Sequence, residues 1–355
     1  MSKKLRSLLK NQIRDNGPMD IGLFMAQVLG HPEHGYYMRQ DPFGAAGDFT
    51  TAPEISQMFG ELIGAWVADV WMQMGAPESF VLMECGPGRG TLMADALRAT
   101  KKVDGFHEAL EVHFLETSPV LRKAQGKAVQ THEPVWHDGL ETLPDDKQLI
   151  VIGNEFLDAL PMRQLQKTKE GWAERVIGLD DNNFCFGLAP YAGSVPEDIS
   201  GAREGHIFEF SPAQVSFVED ITQRIKNQSG AALFIDYGEM KTQAGESLQA
   251  IYKHDLVPIL EHVGDADLSA NVDFGAMGDA ASGQGMSVHG PVEQGAFLKQ
   301  LGIEQRAALL IQNSDKDQKE AIEKALHRLT ESDQMGSLFK VIGLSCGAAL
   351  TPAGF

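Results

Sequence analysis

The chain of 355 residues has only three cysteines, Cys85, Cys185 and Cys346, set far apart and without metal-ligand spacing. That scarcity excludes a disulfide framework and fits a reducing compartment. Positive charge is also in short supply: Lys and Arg number 30 against 49 Asp and Glu, a net charge of −19. This balance argues against nucleic acid or an anionic membrane surface as partner and leaves a basic protein segment as the better match. No apolar run is long enough to span a bilayer, so no membrane insertion is expected. Repeats and low-complexity segments are lacking too. A chain of this length accommodates one large core or two smaller ones, which suits a catalytic α/β domain with appended pieces.

What is present begins with a basic stretch, "MSKKLRSLLKNQIRD", in which Leu5, Leu8, Leu9 and Ile13 share one helical face. It runs straight into sequence of ordered character, so it reads as a docked first helix rather than a mitochondrial presequence. Residues 1–79 as a whole are expected to form a helical cap and lid. The Gly-rich loop 41–52 would be the part that closes over a ligand. Thr51 and Glu54 match a capping box, followed by Ile55, Met58, Phe59, Leu62, Ile63, Trp66 and Val70 at helical spacing.

Four short apolar runs, "FVLMEC", "EVHFLET", "EPVWHD" and "QLIVIGNEF", then recur at the spacing of βα units and predict a parallel sheet. From Met162 to Leu188 the pattern changes to three strand-like stretches broken at Lys169-Glu170-Gly171 and Asp180-Asp181-Asn182, an inserted meander. A helix over "SPAQVSFVEDITQRI" leads to a fifth buried strand, "AALFIDYG". The expected organisation is therefore an α/β core over 80–160 and 229–355, with the meander and helix inserted at 161–228.

Between the first strand and its helix stands "ECGPGRG", with three glycines in five positions. Such density lets a backbone approach a ligand closely, because a Cβ would intrude. A phosphate-binding P-loop would need Lys-Ser or Lys-Thr at a fixed offset, and a dinucleotide fingerprint would need glycine where Thr91 stands. The pattern E-x-G-x-G-x-G resembles instead the first motif of class I S-adenosylmethionine-dependent methyltransferases. Gly86, Gly88 and Gly90 would serve backbone approach, and Glu84 would face the positive end of the cofactor. Glu116, at the end of the second strand, is placed for the ribose hydroxyls, and Asp138, at the end of the third, for the adenine amino group; a helix N-cap role stays open for either acid.

The segments "HPEHGYY", "GDFTTAPEISQMFGELIGAW", "ECGPGRGTLMADALR", "NEFLDALPMRQLQKTKEGWAERV", "SGAALFIDYG", "GDADLSANVDF" and "MGSLFKVI" resemble, in order and over nearly the whole chain, the MidA-like methyltransferases. That resemblance implies a class I methyltransferase Rossmann-like sheet with an N-terminal helical cap and an inserted β-meander. It implies S-adenosylmethionine as cofactor and protein arginine methylation, which the mitochondrial member performs symmetrically on a subunit of the respiratory NADH dehydrogenase (complex I) as an assembly factor. The short N-terminus points to a bacterial, cytoplasmic member rather than one of the mitochondrial matrix. Asn271 stands where the resemblance implies His or Asp, so no proton-transfer role is assigned there. Methylation of another protein side chain or a small molecule, or cofactor binding without catalysis, are the competing readings.

The fourth strand carries the chemistry. A guanidinium is a poor nucleophile, because its lone pairs are delocalised and its pKa exceeds ~12. Carboxylates can hold its planar fork and localise the positive charge on the nitrogens that are not methylated. Glu155 and Asp158 are the catalytic candidates, and Asn154 beside them is a cofactor-binding one. The alternative for this trio is a helix cap and first turn. Glu61 is a weaker candidate, expected to face solvent or a neighbouring loop. His31 and His34 lack a zinc-type arrangement, so no metal is expected. Asp265, Asp267 and Asp273 in "GDADLSANVDF" read as a turn and a capped helix lining a substrate channel.

Overall fold

The computed structural model describes residues 2–39, 50–199, 201–346 and 350–355. Nearly all of the expected lid loop, through residue 49, lies outside the described residues.

Six consecutive buried residues, Phe80–Cys85, form strand β1, with Phe80 and Leu82 in the core on one face and Val81, Met83 and Cys85 in the core on the other. A strand covered on both faces is what a parallel α/β sheet requires. The other main strands are β2 (Leu110–Leu115), β3 (Val135–His137), β4 (Gln148–Asn154), β5 (Gly230–Glu239), β6 (Ser287–Glu293) and β7 (Phe339–Ser345), and the two-residue strand Val272–Asp273 pairs with the end of β5. Their order across the sheet is β3-β2-β1-β4-β5-β7-β6. The strands β1 to β5 run parallel, and β7 lies antiparallel between β5 and β6. This is the expected class I sheet. The strand order reverses between β1 and β4, where open α/β sheets bind ligands beyond the carboxyl ends of the strands.

The helix Gln57–Gln73 buries the apolar stripe read from the sequence, and it does so in the core of the sheet rather than in the cap. It lies close against Thr91–Thr100: a Cβ on Gly64 would come within 2.6 Å of Ala96 Cα. Thr51 and Glu54 do not form a capping box. The helix they open is a single turn, Ala52–Ile55, without a side-chain cap, and Ser56 caps the long helix instead. Glu54 turns away to accept from Thr91 Oγ1 and to face Arg89 at 3.7 Å. Glu61 is not exposed either. It is buried, and its carboxylate accepts from Arg306 at 2.7 Å and from Arg98 at 3.1 Å, tying three helices together.

The cap is assembled from distant parts of the chain. Helices Ser2–Asn16 and Ile21–Gly30 pack with Met162, Ile177 and residues 248–270 in one apolar cluster. The meander is present as Arg163–Lys167, Trp172–Asp180 and Asn183–Pro190. Met19–Asp20 and Ile207–Phe210 extend it to five strands. A three-stranded sheet of Gln249–Tyr252, Asp255–Val257 and Asp267–Ser269, not expected from the sequence, completes this side of the molecule. No helix among the described residues is long and apolar enough to cross a membrane.

Candidate functional site

Beyond the carboxyl ends of the strands lies a cavity of ≈ 1300 Å³, walled on one side by the sheet and on the other by the cap. A second, much smaller cavity of ≈ 20 Å³ lies beside it under Thr51, Pro53 and Glu54. Gly86, Gly88 and Glu155 line both, so they form the partition.

The glycine loop has the geometry its composition demands. Gly86, Gly88 and Gly90 all have positive φ, at 62°, 54° and 83°, the left-handed region that glycine enters without steric cost. Their surroundings differ. A Cβ on Gly90 would meet Ala128 and Gln125 at 3.2 Å, so this glycine admits the helix Pro119–Ala128 and lines neither cavity.

Glu84 is fully buried at the end of β1. It accepts from the Met93 N–H at the start of the next helix, while its Oε2 has no partner. Burial pushes its carboxyl up to about 8. Asn154 at the end of β4 likewise leaves its buried Oδ1 unpaired. Both residues line the small cavity. Two orphaned acceptors in a water-excluding corner suit an ammonium group, which the amino-acid end of S-adenosylmethionine carries.

Glu116 lines the large cavity at the end of β2, its carboxylate accepting from the Ser118 N–H at 2.7 Å and from Gln125 Nε2 at 3.1 Å. Burial raises its carboxyl, against these donors. Gln125 was not singled out in the sequence, since a polar residue in an amphipathic helix carries no signal. It also donates to the Gly88 carbonyl at 2.8 Å and accepts from Trp136 Nε1 at 2.8 Å, so one fully buried amide locks Glu116 to the glycine loop. Asp138 lies on the exposed rim of the same cavity, paired with Arg122 at 2.6 Å.

Glu155 and Asp158 both line the large cavity. The Glu155 Oε1 accepts from the Ala52 N–H at 2.7 Å and from Asn154 Nδ2 at 3.2 Å. Burial raises its carboxyl to about 7, and burial does the same to Asp158. Opposite them Tyr37 donates to Asp267 at 2.8 Å. Asp267, Ser269 and Asn271 line the cavity, while Asp273 caps the helix Phe274–Gly283, as the sequence suggested for that segment. Asn271 Nδ2 donates to Glu239 at 3.3 Å.

The carboxylates on the cavity wall are Glu116, Asp138, Glu141, Glu155, Asp158, Asp220, Glu239, Glu246 and Asp267. Against them stands one lining cation among the described residues, Lys340, whose ammonium donates to the carbonyls of Ser337 and Leu338. No cluster among the described residues could hold a metal ion.

Residues 62–292 match the sequence profile of the family described as "Putative S-adenosyl-L-methionine-dependent methyltransferase". The chain is 35% identical over 362 residues to the protein arginine methyltransferase NDUFAF7, mitochondrial, of Xenopus tropicalis, covering 93% of this chain and 83% of that one. It is 32% identical to the human protein of the same name, with 95% and 82% covered. A methyltransferase-type protein of Burkholderia thailandensis, solved with S-adenosyl-homocysteine bound, superposes with a TM-score of 0.85 at 30% identity, covering 97% of this chain and 92% of that one.

Proposed function

This chain belongs to the S-adenosyl-L-methionine-dependent methyltransferase family, and from that premise we propose that it methylates an arginine nitrogen in a basic segment of a protein. The observation that carries the reading is the acidity of the acceptor cavity, which among the described residues has one lining lysine against its many carboxylates. A neutral small molecule would call for a closed apolar pocket. A guanidinium calls for carboxylates that can grip it bidentately.

When bound, S-adenosylmethionine supplies the methyl group on a positively charged sulfur. Glu84 and Asn154 would hold its ammonium, Gly88 would admit it to the backbone while Gly86, where a Cβ would meet the Phe156 ring at 2.7 Å, makes room for Phe156, and Glu116 and Asp138 would take its ribose and adenine. Glu155, in the partition between the two cavities, and Asp158 would orient the guanidinium and keep its charge on the nitrogens that do not react. Transfer leaves one proton in excess on the reacting nitrogen. A carboxyl raised to about 7, as at Asp158, can take that proton near neutral pH. The likeness to the mitochondrial arginine methyltransferases and the family resemblance extend the proposal to a subunit of the respiratory NADH dehydrogenase as acceptor.

The test is transfer of labelled methyl into a lysate, followed by mass-spectrometric comparison of arginine methylation in cells with and without this gene. A methylarginine that disappears with the gene, in such a subunit, is the expected result. An unchanged arginine methylome would overturn the reading. Glu155→Gln is expected to retain cofactor affinity within a few-fold while turnover falls by roughly two orders of magnitude, the scale for one preorganised electrostatic contact. Wild-type turnover in that variant would remove Glu155 from the chemistry.

A further inference from the structure

At the end of β4 the chain leaves the sheet through an unusual turn. Glu155 has φ +51°, a left-handed conformation for a residue other than glycine. Such a conformation is strained for a residue that carries a Cβ and persists only where its surroundings over-determine it. Phe156 follows with φ −123° and ψ −40°, and Leu157–Ala159 form a single 3₁₀ turn. The N–H groups of three successive residues, Phe156, Leu157 and Asp158, consequently point at one place.

That place is a single oxygen. Asp236 Oδ2 accepts from Phe156 N at 3.1 Å, Leu157 N at 2.9 Å and Asp158 N at 3.2 Å, while Oδ1 accepts from Tyr237 N at 3.0 Å. Successive backbone N–H groups in a turn form a concave nest that ordinarily binds an external anion. Here an internal carboxylate fills it. The register supports the arrangement, since Ile235 of β5 pairs with Asn154 of β4, and the Glu155 N–H donates to the Ile235 carbonyl at 2.9 Å. Asp236 is 1% exposed and lines neither cavity.

We propose that Asp236 is a positioning residue for methyl transfer, which fills the nest at the end of β4 and thereby fixes the left-handed turn that presents Glu155 and Asp158 to the acceptor cavity. The proposal rests on the reading of those two carboxylates as the acceptor-binding pair. It accounts for an acid in the middle of an otherwise apolar strand, where an unpaired charge would be prohibitively costly. Without it, three N–H groups would be buried unpaired, and the left-handed turn would be left to the contacts of Glu155 itself with Ile235, Ala52 and Asn154.

Asp236→Asn keeps one acceptor oxygen, so either the three N–H groups of the nest or the Tyr237 N–H would face an NH₂ group. We expect kcat to fall at least about tenfold, with acceptor KM and S-adenosyl-homocysteine affinity within about threefold. In a Glu155→Gln background the same substitution should add less than about threefold, because both act on one element. A folded Asp236→Asn variant with wild-type kcat, or losses that multiply in the double variant, would overturn the proposal. A second measurement needs neither a substitution nor an acceptor. In the unsubstituted protein the amides of Phe156, Leu157 and Asp158 should exchange with solvent as slowly as those of β4, and exchange within seconds would refute the nest. If the wild-type enzyme methylates no arginine, the arginine reading fails alone, and the exchange result still decides for or against Asp236.

Discussion

Glu155 concentrates several demands on one residue: a left-handed backbone, a carboxylate with one oxygen already committed to Ala52 and Asn154, and burial. Burial raises its carboxyl from an ordinary 4.5 to about 7, and raises Asp158 from 3.8 to about 7. Between those limits the folded protein keeps protons that the unfolded chain has released, so the folded state is favoured at the acid end and stability falls as pH rises through the window. Glu155→Gln should remove its share of that slope, on the order of 3 kcal/mol, in denaturant melts compared at pH 5 and pH 8. A slope equal to that of the wild type would show that the Glu155 carboxyl titrates normally. The glycine loop offers a contrast. Gly88→Val should abolish cofactor binding, measured by calorimetry. Gly90→Ala, facing Ala128 and Gln125, should instead lower stability by about 1–2 kcal/mol for its left-handed backbone and leave measurable binding.

Among the elements, the helix Gln57–Gln73 shows how the sheet is braced. Its Glu61 joins Arg98 of the following helix and Arg306 of Ile303–Gln312. Removing one member of a buried ion pair costs about 3–5 kcal/mol, and the half-exposed arginines reduce that. Glu61→Ala should therefore destabilise by about 2 kcal/mol in chemical denaturation, with cofactor affinity unchanged; a loss of affinity at full stability would return Glu61 to the active-site candidates. The five parallel strands of the sheet were legible in the sequence because a buried parallel strand is a local signal, as "FVLMEC" and "QLIVIGN" illustrate, whereas the part-exposed, antiparallel β6 was not. The small sheet built on Gln249–Tyr252 was missed too, since its strands are only three or four residues long and they pack against the N-terminal helices. The same distinction runs through the site. Glycines and strand-end acids declare themselves by position. Gln125 and Asp236 act through contacts between elements, and neither was singled out in the sequence.

For the molecule as a whole, an acidic chain carries an acidic cavity, and both would attract the proposed basic acceptor over a distance that salt shortens. The Debye length falls from about 10 Å at 0.1 M to about 3 Å at 1 M, so acceptor KM should rise several-fold between low and high salt while kcat changes little. An acceptor KM insensitive to salt would argue that recognition does not depend on charge.

The antiparallel strand β7 lies between β5 and β6, although both of those precede it in the chain. During synthesis, therefore, the apolar edge of β5 stays unpaired until residues 339–345 have left the ribosome, and β6 has no neighbour to join. An open edge of this kind is a template for pairing with other chains. Completion of the sheet must therefore follow the emergence of β7, and nascent chains would need shelter until then. A chain ending before residue 339 should accumulate as aggregate rather than as a smaller folded protein, even though the glycine loop and every strand around it would already be complete.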